Sequence, residues 1–489
     1  MENLFLKALD NSMSNKRTEN GALSFNSSVN PVLDLFALGG AYRSRSDEDI
    51  LALWRKAYAA SPLDALLVLF YIRAAREGIG EKRFFRVAFA DLLKSGKLNN
   101  EAAAELIALV PEAGSWKDLV SEPVFSSSPL VGEIIVKQLL LDSASDAPSL
   151  LAKWIPCGRG NESAKRETKR FSSLFSMSEK NYRKLVVGVR RKLSLVETRM
   201  AENRWNDIEY DKIPSKAGLK YTAAFRRHDD VRYSEFINAV KDGRRSVNMS
   251  LAMPYEIVSR VLYKDDEAAE AFWKNLPDFV RKDERAIAVV DISGSMFVHY
   301  LNPWPVTVSV SLGIYFADRL TGPFGKRFIT FSDNPRLVSL EGALTLREKV
   351  QLVLSEDNVG YNTDIGKVFS LILKAAIESD AKPDEMPETL YVISDMEFDE
   401  AANPAETNFE EAERIFAENG YRLPSVVFWN VAARNNTIPV KSWNSNVSLV
   451  SGCSPSVFSI VFGGKTPLDV MNETVRKLSF AERILALPL

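Results

Sequence analysis

The chain has 489 residues, 46% of them hydrophobic and 26% charged, with a formal net charge of −2, the balance of an ordinary globular protein too long for one core. Two cysteines, Cys157 and Cys453, exclude a disulfide framework, and two histidines, His228 and His299, count against His-rich zinc sites and Ser-His-Asp catalysis. No uncharged run approaches the ~18 apolar residues of a membrane span, and the N-terminus lacks a basic stretch followed by an apolar one, so a cytoplasmic protein is expected.

In chain order, residues 1–30 are polar, rich in Asn and Ser, and read as a flexible arm. From 31 to 285 the pattern is helical. The stretch LALWRKAYAASPLDALLVLFYIRAAREGIG has apolar residues at helical spacing, broken by Ser61-Pro62 with Asp64 in the next first turn. EKRFFRVAFADLLKSGK and NEAAAELIALVPEAGSWKDLV continue in the same manner, each a helix closed by Gly or Pro. Antiparallel pairs of this kind suit an α-solenoid of HEAT-like repeats, although no clean fixed period recurs; an irregular helical domain is the alternative.

From 286 to 489 strands alternate with helices. The predicted strands are AIAVVD (286–291), KRFITFS (326–332), TLYVISD (389–395), SVVFWNV (425–431) and VSLVSG (447–452). VTVSVSLGIYFADRL, DIGKVFSLILKAAIES, NFEEAERIFAENG and PLDVMNETVRKLSFAERIL supply the helices. Alternation with near-continuous apolar strands implies a doubly wound, Rossmann-like parallel sheet covered on both faces, with ligands at the carboxyl ends of its strands.

Charge is unevenly spread. Residues 151–250 hold 23 Lys/Arg against 12 Asp/Glu, whereas residues 351–420 hold 4 against 17. The basic block includes Lys165, Arg166, Lys169, Arg170, Arg190, Arg191 and Lys192, interleaved with Trp154, Phe171, Tyr182 and Trp205. Two readings stand: a helix face that pairs with the acidic segment, or a polyanion-binding surface.

The most informative stretch is AIAVVDISGSMF (286–297), a buried-type strand that ends in Asp291 and is followed by Ser293 and Ser295. A parallel strand delivers such a carboxylate to the ligand-binding edge. Hard cations such as Mg²⁺ take oxygen ligands and keep several waters. One Asp and two Ser leave the shell incomplete, and other strand-end loops supply further oxygens. Asp395 ends TLYVISD, and Thr363 lies in VGYNTDIG directly before a helix. The alternative is that these groups only cap the helices that follow.

This D-x-S-x-S…T…D constellation resembles the metal-ion-dependent adhesion site of von Willebrand factor A domains, as does the order of elements over 286–489. The resemblance implies that Ser293 and Ser295 bind the metal directly, Thr363 directly or through water, and Asp291 and Asp395 largely through waters. The ion would be Mg²⁺, or Mn²⁺ or Ca²⁺, with one position left for an acidic partner group. Met396 and Glu397 follow Asp395 where many such domains place glycine. A helical-repeat region before an A domain looks like the TROVE/Ro ribonucleoprotein family, which implies an RNA partner. The chain more closely resembles a less characterised plant, microbial and viral family of A-domain proteins. That likeness is carried by ENGALSFNSSVNPVLDLF (19–36), SPLDALLVLFYIRAAREGIGEKRFF (61–85), GSWKDLV (114–120), RWNDIEYDKIPSKA (204–217) and VSLVSGCSPSVFSIVF (447–462).

Competing chemistry finds no support. GGKT (463–466) lacks the P-loop glycine, because Ser459 stands there, and Ser293 replaces the second acid that an aspartyl phosphatase would need. Nothing identifies a base or nucleophile, so no catalysis is expected. The two functional expectations are an RNA-binding scaffold, with the seven basic residues on phosphates, and a module that captures an acidic protein partner through the metal.

Overall fold

The computed structural model describes residues 15–158, 160–263, 267–331, 334–355 and 363–489. Residues 1–14, Ser332 and the VGYN part of VGYNTDIG lie outside the described residues. No helix is long and apolar enough to cross a membrane among those described.

The C-terminal half is built on a mixed six-stranded sheet of β3 (Ala286–Asp291), β4 (Arg327–Phe331), β5 (Leu337–Ser339), β6 (Thr389–Ser394), β7 (Ser425–Asn430) and β8 (Val447–Ser451). The order is β5-β4-β3-β6-β7-β8, with β3 parallel to both β4 and β6. All five anticipated strands are present. The expectation of a wholly parallel sheet needs one correction: β5 runs antiparallel to β4. Its three residues alternate exposed, buried and exposed, so it carries no apolar run that the sequence pattern could register. One anticipated helix is broken, as Pro467–Arg476 and Ala481–Leu485, and Leu346–Val353 adds a helix headed by a Thr345/Glu348 capping box.

Every residue of β3, β6, β7 and β8 is buried, because helices cover both faces. Adjacent side chains on β7 point opposite ways. The Trp429 ring lies 4.9 Å from Phe458 on one face, while Phe428 meets Phe398 at 5.7 Å and Phe409 at 6.4 Å on the other. The helix Pro305–Arg319 crosses directly behind β3, and Gly313 permits it: a Cβ there would stand 2.3 Å from Val290 Cγ2. This close approach fixes the strand whose last residue is Asp291.

The N-terminal half is helical from Pro31–Leu38 to Ala269–Lys274. Its helices start where short polar side chains accept from the first turn, as Ser46 does from Asp49 N and Ser178 from Asn181 N. Lengths run from four residues (Leu151–Trp154) to 16 (Pro129–Ala144), and Ser215–Lys241 is two helices joined at a kink at Asp229 (φ −151°, ψ 47°), so no constant repeat unit recurs among the described residues. The buried apolar residues form one continuous cluster across both halves. Helix Pro31–Leu38 lies against β8, where Ser451 Oγ donates to Phe36 O at 2.9 Å.

Residues 15–30, part of the stretch read as a flexible arm, are held in place. β1 (Asn15–Arg17) and β2 (Leu23–Phe25) form an antiparallel hairpin. Phe25 exchanges backbone hydrogen bonds with Ile438, and Ser442 N donates to Ser28 O. The composition is polar because these residues bond to loops of the sheet, and polar content alone does not separate such a strap from a free tail.

Candidate metal centre

The strand order reverses on either side of β3, and at such a switch point the loops leave a crevice at the carboxyl ends of the strands. Asp291 ends β3 there, and the register Val290↔Ile393 sets it beside Ser394 at the end of β6. Asp291 Oδ1 accepts from Ser293 N at 2.9 Å, and Oδ2 accepts from Ser394 Oγ at 2.5 Å. The Ser293 and Ser295 hydroxyls lie 3.1 Å apart, and Ser295 reaches the Asp395 carboxylate. Four of the five anticipated ligands are therefore joined in one hydrogen-bonded group.

Thr363 is placed differently. Its hydroxyl donates toward Glu397 O at 2.7 Å and Asp399 Oδ1 at 3.1 Å, and accepts from Asn20 Nδ2 at 2.6 Å. Among the described residues no hydrogen bond links it to Asp291, Ser293, Ser295 or Asp395. It belongs to the adjoining turn, where Asp399 N also donates to its carbonyl at 2.9 Å.

Asp291 is 0% exposed and Asp395 1%. Burial, then the neighbouring Asp395 carboxylate, pushes the Asp291 carboxyl up to about 7. Burial also raises Asp395, opposed by Arg434, whose Nη2 lies 3.0 Å from Asp395 Oδ2. Two desolvated acids with one arginine between them make a pocket short of positive charge. No three of His, Cys, Asp and Glu are grouped to hold a metal among the described residues. A cation here would draw on the Asp291, Ser293, Ser295 and Asp395 oxygens plus water, a donor set that suits Mg²⁺, Mn²⁺ or Ca²⁺ over softer ions.

Met396 stands where the backbone turns to φ +67°, the left-handed region that glycine enters at least cost. Its side chain is buried, so packing holds a conformation that the residue type disfavours. Glu397, a further carboxylate beside Asp395, is occupied by donors from the surrounding loops. It accepts from Glu19 N at 2.8 Å, Thr437 Oγ1 at 2.9 Å and Asn435 Nδ2 at 3.3 Å.

Sequence reasoning missed Ser394, Arg434, Glu19 and Asn20. Arg434 lies in the loop after β7, one more carboxyl-terminal strand end, and that position was a usable signal. Nothing in the sequence announces that residues 19 and 20 reach a site more than 250 positions away.

The anticipated basic residues divide into two groups. Arg190 is committed to structure, donating to Ala152 O and Ile155 O at 2.6 Å each and to Cys157 Sγ at 2.8 Å. Lys192 caps a helix end through Ser143 O and Ser145 O at 3.0 and 2.8 Å. Lys165, Arg166, Lys169, Arg170 and Arg191 are exposed. Lys165 pairs with Glu162 at 2.6 Å, and Arg170 pairs with Glu122 at 2.7 Å. Of the interleaved aromatics, Phe171 and Tyr182 are core residues, Trp154 is half-buried under Lys117 and Lys153, and Trp205 stacks on His228 at 4.4 Å.

Two family descriptions match the chain, both as domains of unknown function: DUF2828 over residues 142–291 and DUF7788 over residues 285–483. Their boundary falls on β3, the strand that carries Asp291. An uncharacterized protein of Acanthamoeba polyphaga mimivirus is 29% identical over 494 residues, covering 92% of this chain and 84% of its own length. Among solved structures the Ro (RSR) protein of Deinococcus radiodurans aligns over 92% of this chain and 99% of its own, at 16% identity and a TM-score of 0.34.

Proposed function

We propose that the chain is a non-catalytic RNA-binding scaffold with a divalent-metal site. Helices Glu162–Leu174 and Glu179–Lys192 carry the phosphate-binding face, and the strand ends of β3 and β6 hold the ion. One observation carries the RNA reading. Among the described residues no ion pair joins the basic block at 151–250 to the acidic segment at 351–420. Among the described residues that segment does not neutralise the positive face; Lys165 and Arg170 pair locally, and the exposed Arg166, Lys169 and Arg191 stay open to an external polyanion.

The metal reading is that of a von Willebrand factor A domain with an adhesion-type site. It is supported by the strand order with its antiparallel edge and by the four oxygen-bearing side chains at the switch point. When bound, Mg²⁺ would supply an electrophilic position for an anionic oxygen. This chain's own residues fix the carboxylates: Ser293 N and Ser394 Oγ hold Asp291, and Arg434 holds Asp395. A second reading, capture of an acidic protein partner at this site, is favoured by the carboxylate of Glu19, which already sits 3.0 Å from Arg434 Nη1 at its edge.

The decisive experiment is fluorescence anisotropy with structured and single-stranded RNA across a salt series, beside crosslinking with and without EDTA. Saturable, salt-dependent RNA binding supports the scaffold. Absence of RNA binding together with EDTA-sensitive recovery of a protein replaces it with the second reading.

A further inference from the structure

The turn between β1 and β2 lies across the loops that follow β6 and β7. Thr18 Oγ1 donates to Phe398 O at 2.6 Å, and Gly21 bridges to Asp399. Glu19 N donates to Glu397 Oε2 at 2.8 Å, while the Glu19 carboxylate pairs with Arg434, which in turn holds Asp395. Asn20 Nδ2 donates to Glu397 O at 2.8 Å and to Thr363 Oγ1 at 2.6 Å. Beside Arg434 opens a recess of about 180 Å³ lined in part by Arg43, Arg45, Tyr300 and Leu301.

We propose that residues 18–21 are an internal ligand of the metal centre, a tip that stands in for an acidic partner and that cation loading releases. Asn20 fastens the tip to the adjoining turn through Thr363 Oγ1 and Glu397 O, and Glu19 fastens it to Arg434, the partner of Asp395. A dication at Asp395 repels Arg434, the group that anchors Glu19. The tip is held by polar contacts, with Glu19 and Asn20 exposed and only Thr18 buried, whereas Ala22 and Phe25 behind it are buried and Phe25 is paired with Ile438. Residues 18–21 can therefore lift while β2 stays in place, and Gly21 at φ +94° provides the turn. The surface so uncovered has arginines and the ion side by side, and it fits a partner's carboxylate side chain in place of Glu19.

This rests on the metal reading, and the test separates the two. Mg²⁺ is titrated calorimetrically into the full chain and into Asn20→Ala and Glu19→Gln. Backbone hydrogen exchange at residues 18–21 is followed in the unmodified chain with and without Mg²⁺. Coupling is reciprocal, so Asn20→Ala should bind Mg²⁺ about fivefold tighter or more, and Mg²⁺ should speed exchange at the tip by a comparable factor. Equal affinities with unchanged exchange, or slower exchange on loading, would overturn the proposal and leave the metal site standing. If Mg²⁺ binds none of the three proteins, the metal reading fails and takes the proposal with it.

Discussion

Ser394 Oγ donates to Asp291 Oδ2 at 2.5 Å, tying the last residue of β6 to the last residue of β3. Ser293 N holds the other carboxylate oxygen, so the Asp291 side chain has both oxygens aimed before any ion arrives. Groups that orient a metal ligand without touching the ion are worth about 10–100-fold in affinity. Ser394→Ala should weaken Mg²⁺ binding by that factor in calorimetry while the far-ultraviolet dichroism stays unchanged. An unaltered affinity would show that Asp291 does not serve the ion.

Asp291 also sets a pH dependence for the metal-free protein. Its carboxyl is raised from 3.8 to about 7, with burial the main cause and Asp395 the second. A raised folded-state value means that the folded protein holds the proton more tightly than the unfolded chain. The stability contribution is complete below 3.8 and is lost as pH rises through about 7. In EDTA, the Tm of the unmodified chain minus that of Asp291→Asn should fall steadily between pH 4 and 7. Mg²⁺ should restore it at the upper end. A difference that grows with pH would refute the assignment.

Five of the six strands were legible because they are apolar runs of five or six residues, and such runs differ from helical spacing; β5, three residues long, was not. AIAVVD and TLYVISD were placed within a residue, so Asp291 and Asp395 emerged as a pair from pattern alone. Their partners Ser394 and Arg434 were not legible, because a serine or arginine at a strand end has many uses and only the register decides. Thr363 shows the limit from the other side. Its position before a helix was read rightly, yet its hydroxyl is spent on Glu397 and Asp399, which a linear pattern cannot reveal. The strap was missed for a different reason, since its bonds link residues 17–21 to residues 363–434.

The stretches SPLDALLVLFYIRAAREGIGEKRFF and GSWKDLV meet at one buried ion network. Asp118, 0% exposed, accepts from Arg73 Nε at 2.7 Å and from Arg86 Nε at 2.8 Å. Gly114 packs so tightly beside this network that a Cβ would lie 2.4 Å from the Arg73 guanidinium carbon. Removing one partner of a buried pair leaves an uncompensated charge, at a cost of about 3–5 kcal/mol. Asp118→Ala should destabilise by that amount in denaturant unfolding, and Gly114→Ala should be destabilising by displacing Arg73. A change below about 1 kcal/mol in both would show that water reaches the arginines.

The basic helices allow structural and RNA-binding roles to be told apart by adjacent residues. Arg190 satisfies two carbonyls and a thiol, so Arg190→Ala should lower the Tm. Arg191 is exposed, so Arg191→Glu should leave the Tm alone and weaken RNA binding. If Lys165, Arg166, Lys169, Arg170 and Arg191 each neutralise one phosphate of a single strand, log affinity should fall against log salt with a slope near −3.5. Charge reversal at Lys169 should then cut the slope by ~0.7 and weaken every RNA sequence alike, because phosphate contacts carry no base information. Loss confined to one sequence would instead mean that these helices read bases. An unchanged slope would remove Lys169 from the interface, and the same result for all five would move the RNA face elsewhere on the chain.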